Sequence, residues 1–182
     1  FWEEKKIYEN LKKNNSNFQK YILHDGPPYA NGDLHLGHAL NKILKDIICR
    51  IKFLNKFDVD YVPGWDCHGL PIEWKVEEEF KKKGKEKSEV GLNEFRERCR
   101  SFAAYWVGEQ KTQFQRFGIQ SNWKEIYLTM NKDSEVKIVE ELLKFFETGD
   151  LYLGFKPVMW SVVEQTALAE AEIEYHEKIS KS

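Results

Sequence analysis

The spacing of apolar residues divides the chain into helical stretches and short strand-like runs. Over residues 36–54 the apolar side chains recur with a period close to 3.6, which predicts an amphipathic helix with Asp33 as its N-cap. These apolar positions are 36, 40, 43, 44, 47, 48, 51 and 54. The runs YILHD (21–25) and DVDYVPGW (58–65) predict buried strands on either side, the second broken by its Pro-Gly pair. Strand, helix and strand in this order predict a parallel βαβ unit.

Helical periodicity also marks four further stretches, residues 1–14, 72–87, 92–117 and 134–148. The last of them ends at Gly149, a residue type common just beyond a helix C-terminus. In the long third stretch the large apolar residues lie close to one stripe, at Leu92, Phe95, Cys99, Phe102, Trp106, Phe114 and Phe117. Two strand-like runs, 151–161 and 171–175, complete the pattern, which predicts an α/β fold.

Composition narrows the class of protein. A chain of 182 residues that is 41% hydrophobic can form one domain with a sizeable core. Its formal net charge of −2 shows no general excess of basic residues, so any contact with nucleic acid must be local. The three cysteines, at 49, 67 and 99, form no C-x-x-C pair, which indicates reduced thiols and a cytoplasmic protein. No apolar run approaches the roughly 18 residues of a membrane span.

The richest chemistry lies between the first predicted strand and its helix. Two prolines and two glycines in the loop are followed by His35 and His38, three residues apart at the start of the helix. Their side chains should share one face of the first turn, where free backbone N–H groups and the helix dipole attract phosphate. Gly32 and Gly37 lack a Cβ, so a ligand can approach the backbone. Two imidazoles there could stabilise charge on an α-phosphate during in-line displacement.

Other interpretations of these histidines remain open. A surface pair or half of a metal site would show the same spacing, although neither cysteine nor carboxylate partners stand at ligand spacing nearby. The proline- and glycine-rich loop before the pair favours a nucleotide site.

The segment GPPYANGDLHLGH (26–38) resembles the HIGH-type signature of class I aminoacyl-tRNA synthetases. PGWDCHGLPIE (63–73) resembles the form found in the isoleucine enzymes of that class, as do KPVMWS and TALAEAEIEY within 156–175. The signature residues are Pro28, Tyr29, Ala30, Asn31, Gly32, Asp33, Leu34, His35, Leu36, Gly37 and His38. The resemblance implies an α/β fold, the first half of a Rossmann-like parallel-sheet catalytic domain with long helical additions. That domain would cover residues 1–176.

The resemblance also implies roles for individual residues. His35, Gly37 and His38 would bind ATP, and the two histidines would act in catalysis as isoleucine is activated to its adenylate and pyrophosphate leaves. Gly26 and Pro27 would contact the amino acid, and Asp66 its α-ammonium group. Mg²⁺ would accompany ATP, without a protein metal site in this segment. The implied partners are L-isoleucine and tRNA(Ile), and the implied protein is a cytoplasmic monomer that does not bind membranes.

The position of Asp66 supports its role independently. A carboxylate at the C-terminal end of the second strand should face the same crevice as the histidine pair and could bind a cation through a charge-assisted hydrogen bond. The alternative is a capping aspartate in a Pro-Gly turn.

Both ends of the sequence indicate a piece of a longer protein. The chain starts at Phe1, already inside a helical pattern, and stops at KISKS (178–182). This last run resembles the Lys-Met-Ser-Lys-Ser signature of the class, but in the family that loop lies hundreds of residues downstream. We interpret the match as chance, with residues 177–182 starting a linker to an absent editing insertion.

Two other functions stay open. One is a small nucleotidyltransferase that uses the same His-x-Gly-His chemistry on another acceptor. The other is a domain that binds nucleotide or tRNA without catalysing transfer.

Overall fold

The structure, a computed structural model, describes residues 1 and 4–180. It contains two compact units, Phe1–Ile138 and Val139–Ser182. The elements of the first unit are α1 (Ile7–Asn15), β1 (Lys20–His24), α2 (Leu36–Leu54), β2 (Asp58–Val62), β3 (Gly64–Trp65), α3 (Leu70–Lys82), α4 (Leu92–Arg116) and β4 (Tyr127–Leu128). The boundary between the units falls within α5 (Lys132–Thr148), and the second unit contains β5 (Trp160–Ser161) and β6 (Thr166–Ala167).

The predicted βαβ unit is confirmed. Strands β1 and β2 pair in parallel, with Lys20 opposite Asp58 and His24 opposite Val62. The Pro-Gly break predicted after Val62 separates β2 from β3, which pairs in parallel with β4. Since parallel strands end at the same edge of a sheet, the loop after β1 lies beside the segment that follows β2.

Helix α2 forms over the predicted residues, but its apolar face is the exposed one. The buried side chains are Lys42, Asp46, Cys49 and Phe53. The exposed apolar side chains are Leu36, Leu40, Ile43, Leu44, Ile47, Ile48, Ile51 and Leu54. Periodicity therefore identified the helix but not which of its sides is buried. The side that faces the sheet of this unit carries two charged residues, Lys42 and Asp46.

Ion pairs make that charged face compatible with burial. The Asp25 carboxylate, with 0% of its side chain exposed, pairs with the ammonium groups of Lys42 and Lys45, and Lys45 Nζ lies 2.6 Å from Oδ1. Asp46 accepts hydrogen bonds from Arg50 Nε at 2.5 Å and from the backbone N–H of Gln120 at 2.9 Å. Buried charges are tolerated when they are paired and hydrogen-bonded, so these contacts attach α2 to the end of β1 and to the segment after α4.

The main core lies where α3 and α4 meet the strands. Trp65 is fully buried, with its ring centroid 6.0 Å from that of Phe114 on α4. Phe80 of α3 lies 6.2 Å from Phe95 of α4, centroid to centroid. The predicted stripe of α4 is correct at Phe95, Phe102 and Phe114, but wrong at its ends, since Leu92 and Phe117 are exposed.

The second unit has little regular structure after α5. Gly149 has φ of 81°, which confirms its predicted place just beyond the helix. Within the strand-like run 151–161 only Trp160–Ser161 pairs, antiparallel to Thr166–Ala167. The strand predicted at 171–175 is wrong, because a short 3-10 helix occupies Glu170–Glu172. The run KISKS ends at residues 181–182, which lie outside the described part of the chain.

The Asp25 ion pairs lead to a stability prediction. Asp25→Asn leaves Lys42 buried without its anionic partner, and loss of one partner from a buried pair costs about 3–5 kcal/mol of unfolding free energy. The double variant Asp25→Asn, Lys42→Met should recover much of that loss, because the charge that then lacks its partner is that of Lys45, whose side chain keeps 19% of its surface exposed. Urea denaturation measures both variants.

The matched control is Glu78→Gln, which removes a partly exposed Lys75–Glu78 pair at 3.5 Å and should cost less than about 1 kcal/mol. Equal losses for Asp25→Asn and Glu78→Gln would contradict the importance of the buried pair.

Candidate functional site

The signature loop runs from the end of β1 to the start of α2 and is attached along its length. At its start, the Asp25 N–H donates to the Val62 carbonyl at 3.0 Å. In its middle, the Asp66 N–H donates to the Pro28 carbonyl at 2.8 Å, and the Ala30 N–H donates to the Asp66 carbonyl at 3.0 Å. Asp66 thus lies directly against the loop, as the parallel strand order predicted.

The two histidines lie together at the N-terminus of α2. Their ring centroids are 3.9 Å apart with an interplanar angle of 32°. The His35 N–H donates to Nδ1 of His38 at 3.3 Å, and the Gly37 N–H donates to Nδ1 of His35 at 3.1 Å. The pair therefore caps its own helix, and two of the backbone donors expected to face a phosphate are used internally.

These hydrogen bonds determine which ring nitrogen carries the proton. A backbone N–H can only donate, so each Nδ1 must be the unprotonated acceptor and each neutral ring keeps its proton on Nε2. Burial, together with the neighbouring His35, lowers the pKa of His38 from 6.5. At neutral pH the His38 ring is therefore neutral and offers an Nε2–H donor, and the Nδ1 acceptor of His35 likewise leaves Nε2–H as the donor of that ring.

Gly37 makes a contact that the sequence did not predict, and Asp33 is not the N-cap that it predicted. A Cβ at Gly37 would lie 2.9 Å from Cε1 of His35, so the glycine makes room for the imidazole. The N-cap of α2 is His35, with φ −111° and ψ 172°, and the prediction of Asp33 as N-cap is wrong. The helix begins at Leu36, three residues after Asp33, and the Asp33 carboxylate instead accepts a hydrogen bond from Gln113 at 3.1 Å.

Asp66 combines a turn contact with a partly free carboxylate. Its Oδ1 accepts hydrogen bonds from the His68 N–H at 3.3 Å and from the Thr129 hydroxyl at 3.4 Å. No hydrogen bond from a described residue reaches Oδ2, and the side chain is half-buried. One carboxylate oxygen thus makes contacts within the protein, while the other could accept a hydrogen bond from a ligand cation.

Gly26 and Pro27 occupy the stretch between Asp25 and the part of the loop that pairs with Asp66. Gly26 is exposed, and a Cβ placed on it would lie 3.9 Å from Lys45 Nζ. The two predicted amino-acid-binding residues thus lie between Asp25 and Pro28, whose backbones are held by hydrogen bonds to Val62 and Asp66. Among the described residues, no hydrogen bond or ion pair joins Asp66 to His35 or His38.

Two large cavities lie outside this site. One of about 680 Å³ is lined by residues that include Cys67, His68 and Arg100, and another of about 940 Å³ by residues that include Lys12 and Trp123. Neither is lined by the signature histidines or Asp66. Within residues 1 and 4–180, no group of three or more His, Cys, Asp or Glu side chains could hold a metal ion.

Two residues of the site were missed by sequence reasoning. Gln110 and Gln113 of α4 hydrogen-bond to the loop between Tyr29 and Leu34. A signal was present for the first, because position 110 falls in the buried stripe of α4 between Val107 and Phe114, where a polar side chain needs a partner.

Comparison with known proteins identifies the family. The model of tRNA synthetases class I (I, L, M and V) matches residues 1–180. The chain belongs to this family. It is 56% identical over 176 residues to an isoleucine–tRNA ligase of Agrobacterium fabrum and 62% identical over 160 residues to one of Caulobacter vibrioides. These alignments cover 97% and 88% of the chain but only 18% and 16% of the relatives' length. The predicted resemblance is confirmed.

The fold agrees with the family. The structure of a LeuRS–tRNA–LeuAMS ternary complex from Agrobacterium radiobacter K84 matches with a TM-score of 0.73 at 24% identity. The match covers 93% of this chain and 20% of that one, and it confirms the predicted α/β, Rossmann-like class. No helix in the described part of the chain is long and apolar enough to cross a membrane.

The capping geometry predicts the titration of His38. Its pKa should lie below 6.5, because burial and the neighbouring His35 both disfavour the charged ring. NMR of the imidazole Cε1–H and ring nitrogens measures the pKa and the position of the proton. As the pH falls below about 6.5, His38 takes up a proton in the unfolded state before it does so in the folded state. The contribution of His38 to the free energy of unfolding is therefore complete above that pH and declines below it.

The matched variant is His35→Ala, which removes the neighbouring ring and should move the His38 pKa back toward 6.5. A His38 that titrates above 6.5, or that carries its neutral proton on Nδ1, would contradict the geometry.

Proposed function

We propose that the chain is the HIGH-containing segment of an isoleucine–tRNA ligase, which activates L-isoleucine with ATP to isoleucyl-adenylate and then transfers it to tRNA(Ile). The observation that carries the proposal is the pair of adjacent imidazoles at the N-terminus of α2, each presenting Nε2–H. The chain that carries this imidazole pair is 55–62% identical to isoleucine–tRNA ligases. Those relatives are longer, so the complete reaction belongs to a longer polypeptide.

In the proposed reaction, an oxygen of the isoleucine carboxylate attacks the α-phosphorus of ATP and the bond to the bridging oxygen of pyrophosphate breaks. His35 and His38 donate hydrogen bonds from Nε2 to phosphate oxygens on which charge increases. Such donors are effective because they are fixed before the reaction begins. Gly37 would bind ATP together with the histidines, and it also leaves space for the His35 ring. Mg²⁺, carried by the ATP phosphates, would neutralise part of their charge.

The amino acid would be held on the other side of the loop. Asp66 accepts the α-ammonium group on Oδ2, since Oδ1 is occupied by His68 and Thr129. Gly26 and Pro27 contact the substrate from the loop, between the Asp25 anchor and the Pro28 pairing. This placement lets the carboxylate of the substrate approach the ATP bound near the histidines.

We also propose the organisation of the longer protein. Residues 1–176 would belong to the first half of the catalytic domain, and residues 177–182 would begin a linker to an editing insertion. The enzyme would be a cytoplasmic monomer. A second candidate, a domain that binds nucleotide or tRNA without catalysis, would show ligand binding but no exchange.

The test is isoleucine-dependent ATP–pyrophosphate exchange by the full-length protein that contains this segment, with valine and leucine in parallel. His38→Ala should lower kcat by about 100- to 1,000-fold, the usual effect of losing one preorganised donor to a transition-state oxyanion. The control is His176→Ala, an exposed histidine outside the site. Exchange that is unaffected by His38→Ala, or absent with all three amino acids, would contradict the proposal.

Asp66→Asn separates amino-acid binding from chemistry at the phosphate. It removes the charge that pairs with the ammonium group, and a charged hydrogen bond contributes about 1.5–3 kcal/mol. The KM for isoleucine should rise by about 10- to 100-fold, while the KM for ATP changes little. Exposed Asp133→Asn serves as the control, and an unchanged KM for isoleucine in Asp66→Asn would remove Asp66 from the binding site.

A further inference from the structure

Gln110 is a neutral, buried side chain whose amide oxygen and amide nitrogen both make hydrogen bonds. It is 1% exposed, and its Oε1 accepts a hydrogen bond from Trp65 Nε1 at 2.9 Å. Its Nε2 donates to the carbonyls of Tyr29 at 3.1 Å and Gly32 at 2.7 Å. The opposite orientation of the amide would place NH₂ against an indole N–H and oxygen against two carbonyls, so the hydrogen-bond partners permit only one orientation.

Gln113 lies one turn later on the same face of α4 and holds the next part of the loop. Its Oε1 accepts a hydrogen bond from the Leu34 N–H at 3.2 Å, and its Nε2 donates to Asp33 Oδ1 at 3.1 Å. Residues three apart on a helix are neighbours, so the two glutamines form one surface. We name Gln110 and Gln113 the glutamine pair.

The glutamine pair fixes the part of the loop that lacks backbone pairing. The Ala30 N–H bonds to the Asp66 carbonyl, but residues 31–34, all within the described part of the chain, make no backbone–backbone hydrogen bond. The pair supplies four hydrogen bonds to residues 29–34, immediately before His35. Leu34 and the His35 N-cap are consecutive, so a shift of this stretch displaces the imidazole pair.

The side-chain amide of Gln110 also contacts the segment that carries Asp66. Trp65, fully buried and bonded to Gln110, directly precedes Asp66. Gln110 is thus in contact with the residue before the ammonium-binding carboxylate and with the loop that ends in the histidines. We infer that the glutamine pair of α4 is a positioning device for the activation reaction, in which Gln110 fixes the separation between the histidine pair and Asp66.

This inference rests on the proposed function and requires an effect on the chemical step as well as on folding. Gln110→Glu keeps the acceptor for Trp65 but loses both donors to the loop. Gln113→Glu keeps the acceptor for Leu34 but places a second carboxylate against Asp33. Misplacement of reacting groups by about 1 Å can cost about 100-fold in rate, so kcat of adenylate formation should fall by about 10- to 100-fold, with KM values changed much less.

The experiment measures ATP–pyrophosphate exchange by the full-length protein, normalised to active sites counted from the adenylate burst. A purely structural role would reduce the number of active sites and leave kcat per site unchanged, which would overturn the inference. Gln115→Glu, an exposed residue on the same helix, is the matched control and should leave kcat unchanged. If Gln110→Glu fails to fold, the half-buried Gln113→Glu still decides the question.

A second readout separates this inference from the proposed function. The imidazole NMR signals of His35 and His38 should change in Gln113→Glu but not in Gln115→Glu, whether or not exchange occurs. If the wild-type protein shows no exchange but the imidazole signals change in Gln113→Glu, the proposed reaction is contradicted and the positioning role of the glutamine pair is supported. Unaltered signals together with normal kcat would overturn the positioning and leave the reaction standing.

Discussion

The buried carboxylate of Asp25 is the contact on which the geometry of the loop depends. It is the first residue after β1, and the two lysines that neutralise it stand on successive turns of α2. Burial lowers the pKa of both lysines, and Lys45 adds to the effect on Lys42. The attraction of the two ammonium groups to the carboxylate therefore offsets only part of the cost of removing them from water. The result is a fixed relation between the strand and the helix, with the signature loop spanning them.

Several independent contacts then shape the loop between those two ends. The backbone of Asp66 pairs with Pro28 and Ala30, so the middle of the loop extends the pairing at the edge of the sheet. The glutamine pair holds the part before the helix, and the imidazoles complete the cap. A loop fixed in this way loses little conformational entropy when a ligand binds, which favours preorganised recognition.

The sequence predicted the helices, the strands and the family better than it predicted which helix faces are buried and which residues cap the helices. The signature, the βαβ order and the place of Asp66 beside the loop all follow from local patterns and parallel-strand geometry. Periodicity gave the position of α2 but not its orientation, because ion pairs between residues 17 and 20 positions apart allow the charged face to be buried. The N-cap was misplaced because aspartate is the more common cap, whereas here an imidazole Nδ1 accepts the backbone N–H.

The glutamine pair shows where prediction from one sequence reaches its limit. Its contacts with the loop lie about 80 positions away in the chain, as between Gln113 and Asp33 with a separation of 80, and no local pattern encodes such a distance. The interruption of an apolar stripe at position 110 reveals only that a buried amide needs partners. Finding those partners requires the packing of α4 against the loop.

Repulsion and the capping hydrogen bonds both disfavour additional positive charge at the histidine end of the site. Two imidazoles with centroids 3.9 Å apart would repel each other if both were protonated, and protonation at Nδ1 would break the caps that hold them. Glutamine at 110 satisfies two carbonyls and an indole N–H without bringing an unpaired charge into the core, which a glutamate or lysine there would do. In the proposed reaction the segment therefore contributes oriented hydrogen-bond donors, which stabilise charge as it develops without binding the ground-state phosphates as strongly as fixed cations would.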